Sequence, residues 1–203
     1  GKTSVFEMPP ESCCCKTTDS SLSSLCFPGK STVYAATSSG SFSRYSVRHA
    51  AVEPVHEYTV SDPHGRAGEV TGIASVGPES IVVTSGKDGI IRCWDPETRQ
   101  SVARLSGHKY EVRAVAVAES TAEGETVNII ASAGRDKTVR LWDVRVSESN
   151  PIHVFSGHSG WVHDVAISAG GASRADPVVI SCAGDKTVRV WNLAMMKEEM
   201  VLS

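Results

Sequence analysis

The stretch Ser132-Ala133-Gly134-Arg135-Asp136-Lys137-Thr138-Val139-Arg140-Leu141-Trp142-Asp143 reads as the end of one β-strand, a tight polar turn and a second strand. Thr138 to Leu141 alternates β-branched, charged and apolar side chains, which suits a pleated ribbon. Ala133 to Lys137 supplies the small and polar residues of a short connection. The phrase returns downstream as Ser181-Cys182-Ala183-Gly184-Asp185-Lys186-Thr187-Val188-Arg189-Val190-Trp191-Asn192. It also stands upstream, as Thr84-Ser85-Gly86-Lys87-Asp88-Gly89-Ile90-Ile91-Arg92-Cys93-Trp94-Asp95. In each copy the hydroxyl residue precedes the Asp by four positions and the Trp follows it by six.

Working outward, Trp94, Trp142 and Trp191 fall 48 and 49 residues apart. One period further back lies Tyr45, in Ser-Phe-Ser-Arg-Tyr at 41–45, with Ser39 at the Asp position and Ala35 at the hydroxyl position. Gly1 to Met8 aligns with Lys186 to Leu193 and puts Phe6 at the Trp position. Each copy reads as four short strands. In the one ending at Trp142 these are Glu111–Val117, Val127–Ser132, Thr138–Asp143 and Ile152–Ser156, with a polar loop at Glu119–Thr126. Gly107-His108 and Gly157-His158 open successive copies. Ser168–Pro177 reads as a second loop, and only a turn is expected near Ala194–Lys197.

With 203 residues, 40% hydrophobic and 21% charged, the chain is of globular composition. Its formal net charge is -3 and it has no dense Lys/Arg run, so composition makes no case for nucleic acid or an anionic membrane. No apolar run reaches the length of a transmembrane helix. The adjacent Cys13, Cys14 and Cys15 give neither a regular disulfide framework nor the paired spacing of a zinc site. Cys93 and Cys182 fall inside expected strands as small hydrophobes. These features point to an intracellular protein, cytoplasmic or nuclear, with no metal and no cofactor.

Gly-His, a spacer, then Ser/Thr-x-x-x-Asp-x-x-x-x-x-Trp-Asp at this period resembles the WD-repeat β-propeller family, strongly over 107–193, well over 80–106 and weakly over 1–60. The resemblance implies an all-β fold of four-stranded antiparallel blades packed around a channel. It divides the chain into outer strands of one blade (1–17), a degenerate blade (18–60) and three further blades (61–105, 106–156, 157–203). That is about four and a half blades of a larger ring, with the rest expected from the same chain or another polypeptide. It further implies a buried hydrogen-bonded tetrad in each full repeat: His108, Ser132, Asp136 and Trp142, then His158, Ser181, Asp185 and Trp191. Thr84, Asp88 and Trp94 match three of the four positions. The His position falls on Arg66, with His64 two residues out of register.

Ser132, His108 and Asp136 could also be called a hydrolase triad. The same trio recurs, which catalysis does not require, and no strand-to-helix elbow surrounds the Ser. The structural reading is therefore preferred, and no enzyme activity is expected.

By the same resemblance, partners bind over the loop face. The positions that project there are Glu69, Thr71 and Lys87 in one blade, Glu111, Arg113 and Arg135 in the next, and Trp161, His163 and Gly184 in the last. Trp161 is not the repeat Trp; its counterparts are Tyr110-Glu111 and Glu69. Beside Arg113 and Arg135 it is a candidate anchor for a peptide, the alternative being that it only covers the neighbouring blade. The Arg92, Arg140 and Arg189 column reads as a solvated or salt-bridged stripe, with phosphate contact the alternative. The function this implies is a non-catalytic scaffold binding peptide segments or neighbouring subunits in an intracellular assembly. Alternatives are a ribonucleoprotein or ribosome-maturation component, for which nucleic-acid contact has no compositional support, and a substrate-recognition subunit of a ubiquitin ligase.

Overall fold

The computed structural model describes residues 21–28, 31–47, 55–61, 69–75, 81–122, 125–143, 150–168 and 177–203. Phe6, Cys13 to Cys15, His64, Arg66, the half-blade at 1–17 and most of the Ser168–Pro177 loop lie outside these residues.

Sixteen strands form four antiparallel sheets, each a simple meander. The first holds β1 (Leu22–Cys26), β2 (Thr32–Thr37), β3 (Ser41–Ser46) and β4 (Val55–Ser61). The second holds β5 (Val70–Ser75), β6 (Val82–Gly86), β7 (Ile90–Trp94) and β8 (Ser101–Ser106). The third is β9 (Val112–Ala122), β10 (Glu125–Gly134), β11 (Thr138–Asp143) and β12 (His153–Ser156). The fourth is β13 (Val162–Ser168), β14 (Val178–Ala183), β15 (Val188–Asn192) and β16 (Lys197–Leu202). Among the described residues there is no helix.

The register repeats with the sequence. Ile130 pairs with Trp142 and Ser132 with Arg140, as Val82 pairs with Trp94 and Thr84 with Arg92. Val33 pairs with Tyr45 and Ala35 with Ser43 in the first sheet, so the degenerate copy keeps the ladder after losing the side chains. A hydrogen bond from the fourth turn residue to the first closes each β2–β3-type hairpin, and that fourth residue is left-handed: Gly40 (φ 84), Gly89 (φ 77), Lys137 (φ 66) and Lys186 (φ 65).

One expectation is corrected. Glu119–Thr126 is largely not loop: β9 runs on to Ala122 and β10 begins at Glu125, with Thr121 opposite Thr126 and Ser120 opposite Val127. Its polar composition hid a hairpin extension. Two strands already in register satisfy further backbone groups by continuing the ladder, and Thr and Val have high strand propensity.

The sheets stack through their first strands, β1 against β5, β5 against β9, and β9 against β13. Each interface has its own apolar core. Tyr34, Ala36, Phe42 and Tyr58 meet Val70, Ile73, Val82 and Trp94 between the first two sheets. Ala74, Val83, Ile91, Cys93 and Leu105 meet Val112, Val115, Ile130 and Trp142 between the next two. Ala131, Val139, Leu141 and Phe155 meet Val162, Val165, Val179 and Trp191 in the last. The repeat Trp of each sheet thus packs on the sheet before it. Trp94 lies against Phe42 at 5.6 Å, and Trp191 stacks on Phe155 at 5.0 Å between ring centroids. Alternation puts one row of each strand into this interface, which is why Val139 and Leu141 are buried while Arg140 between them is not.

Candidate functional site

In the third sheet the indole N–H of Trp142 donates to Ser132 Oγ at 2.8 Å. Ser132 Oγ lies 2.8 Å from His108 Nε2, and His108 Nδ1 lies 2.9 Å from Asp136 Oδ2. The partners assign the proton positions. The indole can only donate and the carboxylate can only accept, so the Ser hydroxyl donates to Nε2 and Nδ1–H donates to the Asp. The chain of donors runs in one direction from Trp to Asp. Asp136 also accepts from the backbone N–H groups of Lys109 and Thr138, each at 3.2 Å, and from the Thr138 hydroxyl at 2.7 Å. It therefore ties the β8–β9 connection to the β10–β11 turn.

The fourth sheet repeats this. Trp191 Nε1–H donates to Ser181 Oγ at 2.9 Å, His158 Nε2 lies 2.9 Å from that oxygen, and His158 Nδ1 lies 2.9 Å from Asp185 Oδ2. The backbone N–H groups of Ser159 and Thr187 donate to the Asp185 carboxylate at 2.9 and 3.0 Å. In the second sheet Trp94 Nε1–H donates to Thr84 Oγ1 at 2.8 Å, while Asp88 accepts from the Ile90 N–H and from Arg92.

Burial pushes the Asp136 carboxyl up. The hydrogen bond from His108, that ring's charge when protonated, the Thr138 hydroxyl and the Lys109 N–H outweigh it and hold the carboxyl well below the usual carboxylate range. Asp185 is held low in the same way: burial raises it, and the Thr187 hydroxyl, His158 and the Ser159 and Thr187 N–H groups lower it further. Burial alone pushes the Cys93 thiol up to about 12, which leaves it inert.

Asp136–His108–Ser132 has the hydrogen-bond order of a hydrolase triad but not its access. Ser132 is 0% exposed and its oxygen already receives the Trp142 indole, so no carbonyl can reach it. Its chemistry is cohesion between a loop, a turn and two strands. Among the described residues no group of three or more His, Cys, Asp and Glu is placed to hold a metal ion.

The projecting positions behave differently from sheet to sheet. In the second, Lys87 Nζ and Glu69 Oε2 pair at 2.6 Å, and the Thr71 hydroxyl is engaged by Ser85 Oγ at 3.0 Å and by the Val112 carbonyl of the next sheet. In the third, Glu111 pairs with Arg113 at 2.8 Å. Arg135 instead lies over the Trp161 ring of the fourth sheet, 4.1 Å from its centroid. Trp161 remains 45% exposed. It lines two adjoining hollows. One of about 600 Å³ is shared with Lys109, Tyr110, Arg135, Asp136 and Lys137, and one of about 320 Å³ is shared with Lys137, Ser159, Gly160, His163 and Gly184. The Arg column is ion-paired: Arg92 with Asp88, Arg140 with Asp136 and Arg189 with Glu198.

Sequence reasoning did not single out Lys109, Tyr110 or Lys137 as members of this groove. For Lys137 a signal existed: Gly40 and Gly89 occupy the same turn position in sister repeats. That marks a left-handed site, which Lys186 shares in the fourth sheet.

The chain is similar to several known proteins. It is 27% identical over 154 residues to nuclear distribution protein nudF 2 of Penicillium rubens, covering 69% of this chain and 32% of that protein. It is 29% identical over 140 residues to nuclear distribution protein PAC1 of Arthroderma otae, covering 66% of this chain and 29% of that protein. It is 31% identical over 116 residues to WD repeat-containing protein 37 of Mus musculus, covering 57% of this chain and 21% of that protein. The chain thus spans a third or less of the length of these relatives. The family model described as "WD domain, G-beta repeat" matches residues 53–95, 99–143 and 149–192. Each matched segment joins the last strand of one sheet to three strands of the next, and in the second and third segments that connection is the one the His–Asp contact secures. The chain is a member of the WD-repeat family.

Proposed function

We propose that this chain is a non-catalytic scaffold that holds a partner protein within an intracellular multisubunit assembly, through the loop face where the third and fourth sheets meet. The observation that carries this is the half-exposed Trp161 with Arg135 laid across it, flanked by two hollows. Trp and Arg are enriched among the few residues that carry most of the binding energy at protein interfaces. Trp161 has no part in the tetrads, and 45% of it stays exposed beyond its contact with Arg135. The membership of the family, and the nuclear distribution proteins among the relatives, support an intracellular protein-binding role.

The test is affinity purification of the full-length protein and of Trp161→Ala, with stable companions identified for each and the fold checked by circular dichroism. The expected result is an unchanged spectrum and melting profile with one or more companions lost. A variant that unfolds, or one that keeps every companion, would overturn the assignment of the face.

A further inference from the structure

We infer that the groove between Tyr110 and Trp161 takes an acidic peptide segment of a partner protein, its carboxylates meeting Lys109, Arg135 and Lys137. This rests on the partner-binding reading of the same face and adds the chemistry of the ligand.

Charge placement is the first ground. In the second sheet the cation before the turn Asp is neutralised in place, Lys87 by Glu69 at 2.6 Å. Arg135 holds the same position in the third sheet, but Glu111, the counterpart of Glu69, is turned to Arg113. The corresponding position in the fourth sheet is Trp161, which offers a ring in place of a carboxylate. Among the described residues Lys109, Arg135 and Lys137 are exposed and none has a carboxylate partner. Asp136 is the one carboxylate lining this hollow. Its side chain is 4% exposed and already accepts from His108, Thr138 and Lys109. Three unneutralised cations thus gather in a chain whose net charge is -3.

The second ground is the placement of Lys137. Lys137 adopts φ 66 at a turn position held by Gly40 and Gly89 in the first two sheets and by Lys186 in the fourth, and of the two lysines it is Lys137 that lines the hollows. Here it places an ammonium at the boundary of both hollows.

The third ground is the mixture of groups. Tyr110 is 62% exposed and Trp161 45%, so two rings stand among the three cations. Rings with cations suit a peptide carrying both acidic and apolar side chains. An RNA strand would meet the same cations, but the sequence has no dense Lys/Arg run to carry its backbone beyond the groove. About 600 Å³ admits a few side chains of an extended segment.

The experiment is fluorescence anisotropy on the full chain with a labelled Glu/Asp-rich synthetic peptide containing one Leu. Saturable binding that weakens with added salt is expected. Lys109→Glu with Lys137→Glu should weaken it by roughly tenfold or more. The charge-matched pair Arg104→Glu with Lys197→Glu, on exposed outer strands, should leave it unchanged. If the first pair melts early, Arg135→Gln replaces it, since the fourth sheet has Gly184 at that position. No saturable binding, equal weakening by the control pair, or equally strong competition by single-stranded RNA would overturn the inference. The two readings separate: companions lost by Trp161→Ala with no acidic-peptide binding would sink only the acidic assignment. Companions kept by that variant would sink the partner face itself.

Discussion

The first and third sheets share one ladder and solve its polar problem in opposite ways. In the third, Ser132 and Trp142 occupy positions filled by Ala35 and Tyr45 in the first, with matching cross-strand partners. The third sheet carries the full donor chain, ending on a charged Asp136 that organises its turn. The first has no hydroxyl at position 35 and no carboxylate at Ser39. Its turn is held by Thr37, whose Oγ1 lies 2.9 Å from Ser39 Oγ and 2.8 Å from Ser41 Oγ and accepts the Ser41 N–H. Both sheets stack equally well through their apolar rows. The difference teaches that the tetrad is one unit. A blade can lack it when its buried polar atoms are absent together, but not when one member is removed and its partners stay.

That contrast breaks hardest at the tryptophan. Trp142→Ala should destabilise by about 3–5 kcal/mol, because a buried ring leaves a cavity between two sheets. Tyr45→Ala, at the equivalent but half-exposed position, should cost clearly less. Denaturant unfolding of both variants measures the gap; equal losses would mean that the third sheet draws no special cohesion from its indole.

Ser132→Ala comes next, at about 1–3 kcal/mol, since it strands the indole N–H and the imidazole Nε2 in a buried place. The cycle with Trp142→Phe sharpens the comparison. Once the indole N–H is gone, the Ala imitates position 35 of the first sheet, and the double variant should lose less than the sum of the singles. Strict additivity would deny that these groups act together.

Acid should separate the sheets as well. Asp136 and Asp185 titrate lower in the folded state than the unfolded value near 3.9. Their contribution is therefore fully present above that value and is lost as pH falls from about 4 through the folded pKa values. The unfolded state binds more protons across this window, so stability must fall with pH there. Asp136→Asn with Asp185→Asn should flatten that part of a pH–stability curve. A curve as steep as that of the wild-type chain would assign the acid sensitivity to other carboxylates. Ser39, having no charge to titrate, leaves the first sheet's turn untouched.

How far the residues foretold this follows from what each signal measures. Spacing reached the hydroxyl, Asp and Trp because they belong to one hairpin, two strands and their turn, whose register converts sequence distance directly into spatial distance. It failed at Glu119–Thr126, because hydrophobicity reports burial, whereas a hairpin ladder is held by backbone hydrogen bonds that polar residues also allow. At the groove it was partial: Trp161 was set beside Arg135, but Lys109, Tyr110 and Lys137 were not singled out. Whether Arg135 pairs with Glu111 or crosses to Trp161 is a choice of side-chain direction between sheets, and no periodicity encodes that. The ligand positions inferred from family likeness included Thr71, whose hydroxyl is used toward Ser85 and the Val112 carbonyl.

The smallest effect concerns the turn itself. Gly40 and Lys137 occupy the same left-handed position in the two sheets compared. Lys137→Gly relieves a backbone penalty of about 1–2 kcal/mol but returns about 0.5–1 kcal/mol of extra unfolded-chain entropy. The balance is a gain of about 0.5 kcal/mol, readable as a slightly higher denaturation midpoint at unchanged slope. The same variant should weaken the acidic peptide, since it removes one of three cations from the groove. Gly40→Lys, the reverse change in the first sheet, should destabilise by a similar amount. Stability and binding moving in opposite directions at Lys137 would identify a residue kept for its ammonium against the preference of its backbone. A variant that is less stable, or that binds as before, would show that the lysine serves the turn.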